Sequence, residues 1–133
     1  MSSRQKQGAV MRTLFVLFFM ICWGQNLHAE VYPSDSYLDF GSIEVGESEF
    51  LDFELTNEYD RSVIIERIDL DADFSVFDMN ENCLGLLRAG ESCSIEVIFS
   101  PDQWDSFDGE VDIETSTGEW FSIELFGEGV YSL

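Results

Sequence analysis

Residues Cys93–Pro101 read CSIEVIFSP, a stretch in which apolar and polar side chains largely alternate. The apolar members Ile95, Val97 and Phe99 share one side, and only the apolar Ile98 interrupts the polar side. A period of two is the pattern of a β-strand with one face in a core and the other in water. The final proline ends the pattern, because it has no amide hydrogen for a ladder hydrogen bond. The stretch therefore predicts a half-buried strand.

The same alternation returns in residues 51–55, 111–114 and 121–125, with polar or glycine-containing turns in between. Ser116–Gly118 separates two of these runs and predicts a hairpin turn. Residues 30–133 contain no stretch with a convincing helical stripe. About seven short strands in about 100 residues predict an all-β fold, an antiparallel β-sandwich.

The first 29 residues have a different composition from the rest of the chain. Three basic residues, Arg4, Lys6 and Arg12, precede the apolar run Leu14–Trp23, and the small residue Ala29 follows it. This order is typical of a secretory signal peptide. The apolar run is too short to span a bilayer, which takes about 20 apolar residues. We expect cleavage near Ala29, leaving residues 30–133 as one domain; lipidation at Cys22 and a retained anchor are the alternatives.

Charge limits the partners of the expected mature chain. Cleavage would remove the only lysine and the only histidine, and residues 30–133 carry three arginines against 27 acidic residues, a net charge of −24. Such a surface repels nucleic acid and anionic lipid headgroups. We therefore expect no nucleic-acid partner and, after cleavage, no membrane span. Many Phe, Ile, Leu and Val residues distinguish the chain from disordered acidic tails.

Cys83 and Cys93 remain after the expected cleavage. Two cysteines in an exported protein usually pair, so we expect a structural disulfide; two free thiols are the alternative. The spacing differs from a CxxC redox motif, and the lack of histidine in residues 30–133 argues against a zinc site.

Five segments, taken in order, resemble a known family. They are Leu38–Gly46 (LDFGSIEVG), Phe53–Asn57 (FELTN), Asp73–Val76 (DFSV), Cys83–Pro101, and Leu125–Gly129 (LFGEG). Together they resemble the ASPM/SPD-2/Hydin (ASH) type of immunoglobulin-like domain, which is related to the major sperm protein and pilus-chaperone sandwiches. In bacteria such domains occur in exported choice-of-anchor D proteins. The resemblance covers residues 37–130, and no single segment is specific by itself.

The resemblance implies an immunoglobulin-like sandwich that serves as a non-enzymatic building or binding module, and it implies no particular chemistry. Asn57 falls where a strand gives way to a turn, so its side chain is expected to satisfy nearby backbone groups. The chain departs from the family pattern at Ala89, where the family usually has proline. It departs again at Trp104 and Phe107, in a connection that is usually small and polar.

Asp69, Asp71 and Asp73 form a D-x-D-x-D run, the most suggestive local cluster of carboxylates. An EF-hand is excluded, because Phe74 replaces the required glycine and Asn80 the bidentate glutamate. On one face of a strand edge the three carboxylates could still hold a hard cation such as calcium. A solvated acidic edge explains the same residues.

Trp104 and Phe107 predict a partner contact, since aromatic residues are enriched at interfaces. The alternative is that one or both cover the end of the core. Trp120, at the start of the last strand, is expected to pack on the core or cover a sheet edge.

Catalysis has little support in this composition. Without histidine, lysine or a free reactive cysteine, a nucleophile has no usual base in the mature chain. We expect a non-enzymatic immunoglobulin-like module that is exported to the periplasm or the extracellular medium and binds an unidentified protein there, through a sheet edge or an aromatic loop. The alternative is an acidic surface or matrix component whose molecules are linked by calcium or other ions.

Overall fold

The computed structural model describes residues 30–132; the expectations for residues 1–29, including the signal peptide, lie outside this range. The described residues form nine β-strands, and no helix among them could cross a membrane. The strands are β1 (Val31–Pro33), β2 (Tyr37–Glu44), β3 (Glu49–Asn57), β4 (Val63–Ala72), β5 (Phe77–Glu81), β6 (Gly85–Leu87), β7 (Ser92–Phe99), β8 (Asp105–Thr115) and β9 (Trp120–Val130).

The strands form two sheets, which confirms the all-β sandwich. One sheet has the order β1-β3-β7-β5 and the other the order β2-β9-β8-β4-β6. Neighbouring strands are antiparallel except β2 and β9, which run parallel. The prediction of about seven antiparallel strands is therefore wrong in strand number and in this one pairing. The first segment changes sheets between β1 and β2, and it enters the second sheet running in the same direction as β9.

The alternating residues form the core between the two sheets, as predicted. Ile95, Val97 and Phe99 of β7 are all fully buried. Aromatic rings fill one end of this core: Phe99 lies 5.0 Å from Phe77 and 5.5 Å from Phe40, measured between ring centroids. Burial of such large apolar side chains is the main favourable contribution to folding.

Packing explains why the LFGEG segment has a glycine at position 127. Gly127 lies on the inner side of β9, opposite the aromatic cluster, where a Cβ atom would be 2.5 Å from the Phe99 ring. Only glycine leaves room there, so the Phe99 ring packs directly on the backbone of the last strand.

The expected disulfide between Cys83 and Cys93 is present, with the two Cα atoms 5.1 Å apart. It ties the chain between β5 and β6 to the start of β7, and both cysteines are buried.

The predicted role of Asn57 is also confirmed, because its buried side chain makes hydrogen bonds with the backbone at Tyr59, Arg61 and Leu87. The predicted turn at Ser116–Gly118 connects β8 to β9.

Candidate protein-interaction surface

The outer side of the five-stranded sheet carries most of its charge. Alternation buries Val111 and Ile113 of β8 against the core and turns Glu110, Asp112 and Glu114 outward. The neighbouring strands follow the same rule. The resulting surface, called the acidic face below, consists of Asp39, Asp69, Asp71, Asp108, Glu110, Asp112, Glu114, Glu124 and Glu128.

Strand register places carboxylates directly beside one another on the acidic face. Glu110 is paired with Asp71 on β4 and with Glu124 on β9. Asp69 is paired with Asp112 in the next row. Like charges in direct cross-strand pairs are destabilising. The acidic face therefore stores repulsion that a cationic partner would relieve.

Among residues 30–132, Arg67 is the basic residue that reaches this face. Its guanidinium lies 2.7 Å from the Asp69 carboxylate and 3.9 Å from that of Glu114. The other arginines of residues 30–132, Arg61 and Arg88, pair with carboxylates elsewhere. Within the described part of the chain, the nine carboxylates of the acidic face thus have one cation, Arg67, beside them.

Aromatic side chains are interleaved with the charges. Tyr37, Trp120 and Phe126 project from the outer side of β2 and β9, with 56, 57 and 42 % of their surface exposed. Phe126 packs edge-on against Tyr37, with ring centroids 6.4 Å apart. The expectation that Trp120 packs on the core is wrong, because the alternation of β9 turns it to solvent.

Phe126 separates two shallow depressions in the acidic face. One, of about 490 Å³, is lined by Asp39, Asp108 and Glu128 among others. The second, of about 390 Å³, is lined by Asp71, Glu110 and Glu124. Each depression therefore presents several carboxylates next to an aromatic ring.

The three aspartates of the D-x-D-x-D run have separate surroundings. Asp69 binds Arg67. Asp73 accepts hydrogen bonds from the backbone amide of Ser75 at 2.9 Å and from its hydroxyl at 2.8 Å, and these bonds lower the Asp73 pKa. Of these three aspartates, only Asp71 belongs to a group of carboxylates within residues 30–132 whose oxygen atoms lie close enough together to bind one metal ion.

Asp71 meets Glu110 and Asp112 rather than its neighbours in the sequence. One oxygen of each carboxylate lies within 4.8 Å of the others. Asp112 Oδ1 is buried and has no hydrogen-bond partner within residues 30–132. The residue types match the oxygen ligands that calcium takes. In the sequence, alternation alone indicates that these three carboxylates point outward. Alternation does not show which strands are neighbours, so it could not bring the three together.

Trp104 and Phe107, the predicted contact pair, also separate. Trp104 precedes β8 and is 69 % exposed beside Glu128 and Ser106. Phe107 lies inside β8, half-buried, with its ring centroid 5.9 Å from that of Phe99. The alternative of core packing holds for Phe107, and Trp104 stays a predicted contact next to the acidic face.

Four strands lie at sheet edges: β1 and β5 in one sheet, β2 and β6 in the other. An edge strand offers free backbone donors and acceptors to an added strand. Of these four, β2 is the longest and directly borders the acidic face.

A family model described as Cep192 domain 4 matches residues 29–130. No curated protein sequence matches the chain. Among solved structures, an ASH/PapD-like domain of human CEP192 (PapD-like domain 7) superposes with a TM-score of 0.66 at 16 % identity, covering 78 % of this chain and 87 % of that one.

Two further similar structures come from exported proteins. The secreted serine protease VesC from Vibrio cholerae gives a TM-score of 0.61 at 17 % identity, covering 80 % of this chain but 24 % of VesC. The periplasmic chaperone SfaE gives a TM-score of 0.54 at 12 % identity, covering 74 % of this chain and 57 % of the chaperone. At these identities the likeness concerns the fold, and in VesC it concerns one part of a longer protein.

Proposed function

Because this chain belongs to the Cep192 domain 4 family, within the ASH-type immunoglobulin-like domains, we propose that it is a non-catalytic protein-interaction module that works in the cell envelope or outside the cell. The similarity to an ASH/PapD-like domain and to a periplasmic chaperone supports an interaction role. Export rests on the basic and apolar start of the sequence and on the buried Cys83–Cys93 disulfide.

The acidic face carries this proposal and indicates the chemistry of the partner. Lysine and arginine side chains are attracted both to carboxylates and to the faces of aromatic rings. Phe126 stands between two groups of carboxylates with nearly half of its surface exposed. The partner is therefore a cationic segment of another protein.

The spacing of the two depressions favours an extended segment. Along β9 one depression reaches Glu124 and the other Glu128, on the two sides of Phe126. These two glutamates are four residues apart on the strand, or about 13 Å. In an extended partner, two basic residues four positions apart have the same spacing and would place one cation in each depression.

The opposite side of the sandwich provides an internal control. The outer side of the four-stranded sheet carries Asp52, Glu54, Asp78 and Glu96 around the apolar pair Phe50 and Ile98. It is also acidic but has fewer carboxylates. General attraction of cations to a highly charged protein would involve both faces, whereas a built site involves one.

A synthetic dodecapeptide of alternating lysine and serine tests the acidic face by titration calorimetry at low salt. We expect the double variant D108N/E124Q to weaken binding about tenfold, and the matched double variant D52N/E96Q to change it less than about twofold. Phe126→Leu keeps an apolar side chain but removes the ring, and should also weaken binding. Equal losses from both faces would show general charge attraction and contradict the acidic face as a site.

Partner capture tests the module itself. Tagged protein incubated with periplasm or culture supernatant should retain a specific protein, identified by mass spectrometry. Trp104→Ala tests the loop, and a proline inserted in β2 tests strand addition at the edge. Capture of nothing across several salt concentrations would contradict the interaction role.

The group formed by Asp71, Glu110 and Asp112 favours a second candidate function, an acidic surface component linked through calcium. Light scattering against calcium concentration separates the two candidates: saturable, stoichiometric assembly supports the calcium-linked component, and an unchanged monomer supports the first. Melting curves test whether calcium binds at this group of carboxylates. Calcium should raise the melting temperature more than sodium at equal ionic strength, and Asp71→Asn should remove that excess.

A further inference from the structure

The start of β1 is held by a carboxylate from the turn between β8 and β9, two strands of the opposite sheet. Glu119 Oε2 accepts a hydrogen bond from the backbone nitrogen of Glu30 at 2.9 Å, and Glu119 Oε1 accepts one from that of Val31 at 3.1 Å. Glu119 belongs to the turn between β8 and β9, whereas β1 lies in the four-stranded sheet. One side chain therefore joins the two layers of the sandwich.

The turn holds Glu119 in position through its backbone. The Glu119 amide donates to the hydroxyl of buried Thr115 at 3.2 Å, and its carbonyl accepts from the Thr115 amide at 3.0 Å. Glu119 itself is half-buried. A carboxylate fixed in this way is a pre-organised acceptor for whatever group the residue-30 nitrogen carries.

Two carboxylates of this region lack a cationic partner among the described residues. One is Glu119, and the other is that of Glu30, whose oxygen Oε2 is buried without a hydrogen-bond partner within residues 30–132. The ion pairs of the arginines in that range involve Asp60, Asp69, Glu91 and Glu114, and so include neither of these two glutamates. A buried charge is costly unless a charge of opposite sign compensates it.

We propose that the compensating cation is the α-ammonium group of Glu30 itself, created when the chain is cut after Ala29. Water adds across the Ala29–Glu30 peptide bond, which leaves a carboxylate on Ala29 and an ammonium group on Glu30. The neutral amide donor at Glu119 Oε2 then becomes a charged one. This inference rests on the export part of the proposed function, and it means that processing completes the fold by adding an ion pair between the sheets.

The ion pair makes the stability of the processed chain depend on pH. A free α-amino group has a pKa of about 7.7–8.0, and the carboxylate of Glu119 beside it would raise this pKa in the folded chain. The added stability is fully present when the pH is below the ordinary pKa of the α-amino group. It is lost as the pH rises through the raised pKa of the folded chain. An amide nitrogen at position 30 does not titrate, so the uncut chain lacks this dependence.

The test compares three forms of the protein: the full chain, a chain beginning at Glu30 with a free amine, and the same chain with its amine acetylated. At pH 6 the free amine should melt about 4–8 °C above the acetylated form, a difference typical of one such interaction in a domain of this size. The difference should disappear at pH 10 and in the variant Glu119→Gln. Equal melting temperatures at pH 6, or a difference that survives in Glu119→Gln, would overturn the proposal.

Two measurements need no variant. N-terminal sequencing of exported material should give Glu30, and a start at another residue would overturn the proposal. The pKa of the α-amino group, followed by NMR in wild-type protein, should lie above about 8. Failure of these measurements leaves the acidic face untouched, because the lysine–serine peptide and the partner capture test it independently.

Discussion

Asn57 Nδ2 donates a 3.0 Å hydrogen bond to the carbonyl oxygen of Leu87, so a fully buried amide at the end of β3 in one sheet holds β6 of the other. The same amide nitrogen donates to the Arg61 carbonyl at 2.9 Å, and Oδ1 accepts from the Tyr59 amide at 2.9 Å. Every bond is to backbone, so the side chain replaces ladder partners that the turn cannot supply.

Asn57→Ala should lower the free energy of unfolding by about 3 kcal/mol, because it leaves one buried and two partly buried backbone groups without their partner. Urea unfolding measures the change. Asn80→Ala, at an exposed position of β5, is the control and should cost less than about 0.5 kcal/mol. Comparable losses in the two variants would argue against the role of the buried amide.

Replacing both Cys83 and Cys93 by alanine should lower stability by about 3 kcal/mol, since the bond closes a loop with a sequence separation of 10. The same loss should follow when wild-type protein is unfolded in reductant. If the double variant were as stable as wild type, the disulfide would contribute nothing to the stability of the folded chain.

Gly127→Ala should be destabilising by about 2 kcal/mol, because its Cβ would be only 2.5 Å from the Phe99 ring. Thermal melting gives the comparison. Glu128→Ala changes the next residue of β9, which points outward, and should leave the melting temperature nearly unchanged. If Gly127→Ala melted like wild type, the ring would have room to move aside.

Glu110→Gln should raise stability by about 0.5 kcal/mol, since Glu110 is flanked by Asp71 and Glu124 in its cross-strand row. The gain should shrink as sodium chloride screens the charges. Glu47→Gln removes one charge from an exposed turn and serves as the control. A larger gain in the control would contradict repulsion within the acidic face.

Asp73 should titrate below the ordinary range for aspartate, because the Ser75 backbone amide and then its hydroxyl lower the pKa. A carboxyl whose pKa is lower in the folded chain than in the unfolded chain adds stability when the pH is above its unfolded pKa. This stability is lost as the pH falls through the folded pKa. Ser75→Ala removes only the hydroxyl and should raise the pKa partway, as followed by carboxyl NMR. An unchanged pKa in this variant would contradict the contribution of the hydroxyl.

The parts of the fold that the sequence predicts are those with a strong period. The alternating runs correspond to β3, β7, β8 and β9, and the segments of the family resemblance include parts of β3, β7 and β9 as well as β2. The short strands β5 and β6 have few residues and no clear alternation, so they escaped prediction. The family resemblance predicts a connection at Phe107, and the polar and glycine residues around it show no alternation that would indicate the first half of β8.

The acidic face could be predicted only in part. Alternation correctly indicates that acids such as Glu110 and Glu124 point outward. Sheet order is what makes Glu110 a neighbour of Asp71, and it depends on long-range pairing that no local pattern encodes. The spacing in the sequence predicts one cluster of Asp69, Asp71 and Asp73. In the structure Arg67 donates to Asp69, and Ser75 donates to Asp73.

The parallel pairing of β2 with β9 joins nearly opposite ends of the described chain. A polypeptide that emerges amino end first must therefore leave β2 without its partner until the last strand has been delivered. Such distant contacts slow folding, because a long loop must close before they form. Under the export proposed above, the five-stranded sheet would stay open at β2 until β9 has crossed the membrane.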